Sequence, residues 1–354
     1  MIKKLTEEAI ALLKKLIATQ SFSTEEEGTA LLLEAWFQEH GIPFERENNN
    51  IWAYNKHFDS SKETLLLNSH HDTVKPNSNY TRDPYEPKEE DGKLFGLGSN
   101  DAGGCLVSLL ATFTYYYVQE NLAYNLVIVT SAQEENSGTL GLNSVLKHLK
   151  NVRFAIVGEP TLMQLAIAEK GLLVLDVVIK GTSGHAAHRY EDNAIYNTIK
   201  VLEWFKSFDF EKESVVLGKV KMTVTQINAG KQHNVVPGQC ELVVDIRVND
   251  QYQNAEVLEI VQNNIPGKAT VKARSLRLNS SSIPLEHPLV QSGIKLGRTT
   301  YGSPTLSDQA ALSCPSLKLG PGDSTRSHMA DEYIYIQEIE EGVELYIKIL
   351  EGIL

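Results

Sequence analysis

Three apolar runs in this chain each lead into side chains that can hold a metal ion. Thr64 to Leu67 runs into Ser69-His70-His71-Asp72, Asn125 to Thr130 into Gln133-Glu134-Glu135, and Phe154 to Val157 into Gly158-Glu159-Pro160. Open α/β sheets bind ligands beyond the carboxyl ends of their strands, so these exits are expected to meet at one crevice. Imidazole and carboxylate with almost no thiol suit a hydrolytic metal centre better than a nucleotide pocket. Glu134-Glu135 is the sharpest signal. Adjacent carboxylates repel, and a cation held by one leaves the other free as a general base. The same pair also fits a plain solvated acidic turn, and His70 and Asp72 also fit an ordinary polar turn.

Other candidates say less on their own. His328 follows Gly320-Pro321-Gly322-Asp323 beyond a fourth short strand, Ser316 to Leu319. His185 lies among small residues in Gly181-Thr182-Ser183-Gly184-His185-Ala186-Ala187-His188, where it can approach a ligand or simply occupy a turn. Strand alternation puts Arg247 with Val243 and Asp245, opposite Leu242, Val244, Ile246 and Val248. A guanidinium there can grip a carboxylate bidentately or pair with a surface acid.

The elements around these residues imply an α/β protein in two parts. A chain of 354 residues exceeds the size at which one core stops growing. Helical spacing predicts helices over Leu5–Ala18 and Gly28–Glu39 and a closing helix over Ile336–Leu350. Lys75 to Gly92 reads as a long loop. The glycine-rich run Gly96 to Gly104 opens a helix with Leu106, Leu109, Leu110, Phe113 and Tyr117 on one face, placing Asp101 at a helix start. From Leu172 the pattern changes: strand 172–180, helix 192–206, strands 216–227 and 239–248, helix 254–264, strand 269–274. That β-α-β-β-α-β order is the split βαβ arrangement. The expected organisation is a mixed-sheet catalytic domain (1–170 and 279–354) with an inserted α+β, ferredoxin-like lid or dimerisation domain (171–278).

Composition narrows the partners. A formal net charge of -12 argues against nucleic acid or an anionic membrane as the main partner. Cys105, Cys240 and Cys314 are far apart and read as reduced thiols of a cytoplasmic protein. Met1 to Thr19 reads as an amphipathic helix rather than a signal peptide, and no apolar run is long enough to span a bilayer.

Taken in order, the H-x-D pair, the segment ending at Asp101, Glu134-Glu135, Gly158-Glu159-Pro160, Gly184-His185 and His328 resemble one family over nearly the whole chain. It is the zinc-dependent amidohydrolase and metallopeptidase family of acetylornithine deacetylase, succinyl-diaminopimelate desuccinylase, carboxypeptidase G2 and aminoacylase-1. The resemblance implies two zinc ions, with cobalt or manganese able to substitute. Asp101 would bridge them, His70 and Glu159 completing one site and Glu135 and His328 the other. Asp72 would orient the surroundings of His70, and Glu134 would be the general base. A cis peptide would fall at Asp101–Ala102. His185 would stabilise the oxyanion, delivered from the lid of a second subunit of a homodimer. Asn234 and Arg247 would hold a substrate carboxylate, with backbone donors near Gly322.

The implied reaction is hydrolysis of the amide of an N-acyl amino acid, as in arginine biosynthesis. The run Gly320 to His328 looks closest to deacylases of N-acetylornithine or N-acetylcitrulline, or their succinyl equivalents. A dipeptidase or aminopeptidase with the same metal site is the alternative within enzymes, and a non-catalytic binding protein of the same fold the alternative outside them. The chain departs from the family pattern at His71, at Lys75 before Pro76, at Leu97, at Ala102-Gly103 and at Arg189; none of these is an implied ligand.

Overall fold

Both sides of the strand alternation are apolar in the centre of this protein, which forces the strands to be covered on two faces. Leu65, Leu67, Leu126, Ile128, Phe154 and Ile156 enter the main core, while Leu66, Val127, Val129 and Ala155 enter a smaller one. The computed structural model describes residues 1–188 and 191–354. Arg189 therefore lies outside the described residues. The chain divides into two units, Met1–Ile167 with Ser282–Tyr301 and Ser307–Leu354, and Ala168–Ser281 with Gly302–Leu306. The divisions thus fall at 168 and 282 rather than 171 and 279, and a short later piece groups with the second unit.

The first part of the chain contains α1 (Ile2–Ile17), α2 (Glu27–Glu39), β1 (Glu45–Glu47), β2 (Asn50–Tyr54), β3 (Thr64–His70), β4 (Lys88–Glu90), β5 (Lys93–Phe95), α3 (Gly104–Tyr116), β6 (Asn125–Ser131), α4 (Leu142–Val145), β7 (Val152–Val157) and β8 (Leu165–Glu169). The middle contains β9 (Gly171–Lys180), β10 (Gly184–His185), α5 (Ala194–Ser207), β11 (Lys221–Ala229), β12 (Val235–Val236), β13 (Gln239–Val248), α6 (Asn254–Asn264) and β14 (Ala269–Ala273). The remainder holds β15 (Ser281–Ser282), α7 (Pro288–Lys295), β16 (Thr300–Ser303), β17 (Ser316–Lys318), β18 (Tyr333–Tyr335) and α8 (Ile336–Glu351).

The large sheet runs β1-β2-β6-β3-β7-β17-β8-β15, with β16 also on β8. β3 is parallel to β6 and β7, and β17 is parallel to β7, so their carboxyl ends share one edge. β1, β2 and β8 pair antiparallel, making the sheet mixed. Leu13 of α1, Leu106, Leu110 and Phe113 of α3, and Val343, Tyr346 and Ile347 of α8 fill the main core.

The stretch 75–92 is not all loop. Lys88–Glu90 forms a hairpin with Lys93–Phe95, and Tyr333–Tyr335 adds a third strand. Asp91 and Gly92 form its two-residue turn with φ of 52° and 73°. Positive φ at both central residues suits Asp-Gly in a type I′ hairpin, a signal present in the sequence.

The second unit has the order β9-α5-β11-β13-α6-β14 with an antiparallel sheet β11-β13-β9-β14. Leu173, Leu175, Val177 and Ile179 share its core with Leu242, Val244, Ile246 and Val248. β11 begins at Lys221, later than the expected 216. Ser214 and Gly218 exchange backbone hydrogen bonds, and the Ser214 hydroxyl accepts from Val216 and Leu217 N–H, so that stretch is a closed turn. Among the described residues no helix is long and apolar enough to cross a membrane.

Candidate metal centre

The shared edge of the parallel strands carries two groups of ligand-type atoms that have one residue in common. His70, Asp101 and Glu159 form one group and Asp101, Glu135 and His328 the other, each with its atoms within 4.8 Å of one another. His70 Nε2 lies 3.4 Å from Asp101 Oδ1 and 3.7 Å from Glu159 Oε1. His328 Nε2 lies 3.7 Å from Asp101 Oδ2 and 3.0 Å from Glu135 Oε2. The two oxygens of Asp101 thus face opposite groups. Ligand sets of this N/O kind suit divalent cations.

The chemistry of His70 tests that fit. Its Nδ1 lies 3.0 Å from the Asp72 carbonyl oxygen, which can only accept, so Nδ1 carries a proton and Nε2 is the nitrogen turned toward the two carboxylates. Nε2 is buried and, among the described residues, has no hydrogen-bond partner, although two carboxylates face it. Although burial opposes a charge there, Asp101 and Asp72 hold the His70 pKa well above its usual value, so positive charge at Nε2, from a proton or a metal ion, is favoured. The residues present fit a metal.

Asp101 was expected at a helix start, but regular helix begins only at Gly104. Ser99–Gly103 forms a wider turn in which Asp101 has φ -117° and ψ 98°, and the Asp101–Ala102 peptide is cis. A residue with no sequence signal, Glu332, meets this turn. Its carboxylate accepts from the N–H groups of Gly98, Asn100 and Asp101, holding the chain away from helical geometry. Asn100 in turn clamps the next loop: its Oδ1 accepts from Asp323 N–H and its amide donates to the Asp323 carbonyl. Gly322 sits against it at φ 88°, where an added Cβ would come 2.5 Å from Asn100 Oδ1. Only glycine fits there.

Asp72 acts mainly on backbone. Its Oδ1 accepts from Glu134 N–H and its Oδ2 from Glu135 N–H and the Ser23 hydroxyl. Its carbonyl, rather than its carboxylate, takes the closest contact with His70 Nδ1. Glu26, fully buried and also without a sequence signal, accepts from Thr24 and Gln133 N–H and from the Asn49 amide. His71 spans Thr29 and the Asn49 carbonyl, and burial lowers its pKa, so it is a neutral brace. Asp308, which accepts from the Ser131 hydroxyl, also carries no sequence signal; burial pushes it up to about 6.

The crowding shows in how the site's own side chains ionise. Burial, with the charges of Glu159, Asp308 and Glu135, pushes Glu134 well above the usual carboxylate range against the opposing pull of His70. Burial and then Asp101 push Glu159 up to about 8. Burial and Asp101 do the same to Glu332, also to about 8. His328 rises to about 9, chiefly through its hydrogen bond to Glu135.

In the second unit, His185 pairs across from Val235 in the short β10–β12 ladder. Its Nδ1 accepts from Ala187 N–H, which leaves the proton on Nε2. Asn234 adjoins that ladder, its carbonyl accepting from Ala186 N–H. Arg247 gives Nε and Nη2 to the Asp245 carboxylate, the surface pairing its strand position allows.

The metal-free protein should lose stability as pH rises. Glu159 and Glu332 hold protons to about 8 when folded against an ordinary 4.5, and His328 to about 9 against 6.5. The folded state therefore binds more protons across this window, and stability present at its acid end is lost on passing the folded values. Chelator-treated protein should show a thermal midpoint that falls between pH 4.5 and about 9. Saturating Zn2+ should remove or reverse that slope, because ligands bind metal deprotonated. A midpoint that rises with pH in chelator would contradict the crowding.

The chain is similar to curated proteins over almost its whole length. Acetylornithine deacetylase of Proteus mirabilis is 30% identical over 97% of this chain and 96% of its own, and that of Shigella sonnei 29% over 96% of each. Among solved structures, aminopeptidase PepT of Bacillus cereus superposes with a TM-score of 0.77 at 16% identity, covering 98% of both chains. YXEP of Bacillus subtilis, described as a dinuclear metal binding peptidase, superposes at 0.75 and 14% identity, also over 98% of both. Since the model of peptidase family M20/M25/M40 matches residues 66–352, the chain belongs to that family of hydrolases.

Proposed function

We propose that this protein hydrolyses the amide bond of an N-acyl amino acid at a paired divalent-metal site, with N-acetylornithine or N-acetylcitrulline, or a succinyl equivalent, as substrate. The observation that carries the reading is the pair of ligand groups sharing Asp101, with Glu134 beside them. Zinc is the assigned metal; when bound, the cations supply Lewis acidity toward water and toward the amide carbonyl. His70 and Glu159 would hold one, Glu135 and His328 the other, and Asp101 both.

Glu134 is the assigned general base. Its carboxylate takes the proton of the attacking water and passes it to the departing amine nitrogen. Asp72 supports that role by fixing the backbone of Glu134 and Glu135 together. His185 is assigned the oxyanion donor, and its Nε2–H tautomer is the form able to donate. Asn234, Arg247 and the backbone near Gly322 are assigned to the substrate carboxylate. Because Asp245 occupies the Nε–Nη2 edge of Arg247, the substrate would meet Nη1. The N-acyl amino acid reading is supported by the deacetylase relatives, which match along almost the whole chain.

A homodimer through the second unit completes the proposal. Ile195, Tyr196 and Ile199 are exposed apolar residues on α5, and Ile227 is exposed on β11, the edge strand of that sheet. An unprotected edge beside an apolar helix face is a natural place for a second copy to pair.

Zinc-loaded protein should release acetate or succinate from the acylated amino acids, with slower turnover of dipeptides. Rapid dipeptide cleavage with inert acylated substrates would reject the assignment. Glu134→Gln should lower kcat by ~10²–10⁴-fold while metal uptake persists; unchanged turnover would remove Glu134 from its role. Sedimentation should show a dimer that Tyr196→Glu with Ile199→Glu converts to monomer. A monomeric wild-type enzyme would refute the assembly.

A further inference from the structure

Glu332 belongs to neither ligand group, yet it ties together the segments that carry Asp101 and His328. It is only 1% exposed. Oε2 accepts from Gly98 N–H at 3.0 Å, and Oε1 accepts from Asn100 and Asp101 N–H at 2.8 and 2.9 Å. Its own carbonyl accepts from Gly96 N–H at 3.0 Å. On its far side the chain is locked at once, because Tyr333 pairs with Phe95 in the β18–β5 ladder. Its neighbour Asp331 accepts from Thr81 and Arg82 N–H, so the segment after His328 is anchored from two directions.

The side-chain chemistry is specific. Buried backbone donors left unpaired are costly, and this turn aims three of them at one point. A carboxyl group presents two oxygens that can accept, where an amide presents only one. A glutamine would turn an N–H2 toward a backbone N–H, and an aspartate is one methylene too short to reach all of them in the same way. Removing the clamp would let the turn relax toward the helix that begins at Gly104, carrying the Asp101 carboxylate with it.

We propose that Glu332 is a positioning residue of the metal centre: by gripping the Gly98–Asp101 backbone from the segment that bears His328, it sets the separation of Asp101 and His328 and so the fit of both ligand groups to cations. This rests on the reading of Asp101 as the shared ligand. Groups that orient metal ligands from behind typically change metal affinity 10–100-fold when altered.

The test uses the full-length protein, stripped of metal and titrated with Co2+ while its visible absorption is followed. Wild type should take up Co2+ with the spectrum of N/O ligation. E332Q, measured where circular dichroism shows both metal-free proteins folded, should bind Co2+ about 10–100-fold more weakly with an altered band. Its kcat should fall with KM near wild type. Co2+ affinity and spectrum equal to wild type, whatever the melting temperature, would overturn the proposal, because a merely structural brace would alter melting alone. Should E332Q not fold, E332D carries the same expectation and the same refutation. Wild type that takes up no Co2+ would instead refute the metal centre itself, and this inference with it.

Discussion

Acidic side chains crowded around a single aspartate are the constraint on which this structure turns. Asp101, Glu135, Glu159 and Glu134 converge between two imidazoles, and like charges so placed repel unless cations separate them. Such groups spring apart or protonate unless something rigid holds them. The rigid element here is backbone. Asp72 grips the N–H groups of Glu134 and Glu135, Glu26 that of Gln133, and Glu332 those of Gly98, Asn100 and Asp101. Each of these three carboxyl groups is buried and turns its oxygens to main-chain donors, so the loops bearing the ligands are anchored at their bases.

The sheet makes this possible. β3, β6 and β7 are covered on both faces, and their parallel pairing delivers His70, Glu134-Glu135 and Glu159 to the same edge. The N–H groups just beyond a strand end have no ladder partner of their own. Those are the donors that Asp72 and Glu26 collect. Positive metal charge, when bound, offsets the repulsion in the middle, while the backbone bonds resist it from outside.

Much of this was legible along the chain, for physical reasons that can be named. The four strand exits stand out because apolar runs end abruptly in polar side chains. Leu242, Val244, Ile246 and Val248 alternate cleanly, and β13 has the expected bounds. α6 was also expected with its observed ends. The hairpin at Asp91-Gly92 carried a usable turn signal, yet the surrounding charged and proline-rich stretch read as loop. β11 starts later than the sequence suggests because Val215 and Val216 look like strand residues, although the Ser214 hydroxyl holds them in a turn. Glu26, Asn100, Asp308 and Glu332 left no trace, since a lone polar residue in a loop has no periodicity.

By itself the sequence determined the order of elements, the strand ends that bear imidazole and carboxylate, and the membership of the chain in a hydrolase family. Those follow from side-chain type and spacing, which are local. Tertiary structure alone decided which carboxylates face the paired site and which are spent on backbone. Asp101 and Glu332 are separated by 231 positions, and no spacing rule links them. Whether an acid becomes a ligand or a clamp depends on where distant N–H groups point, and that direction exists only once the chain has folded.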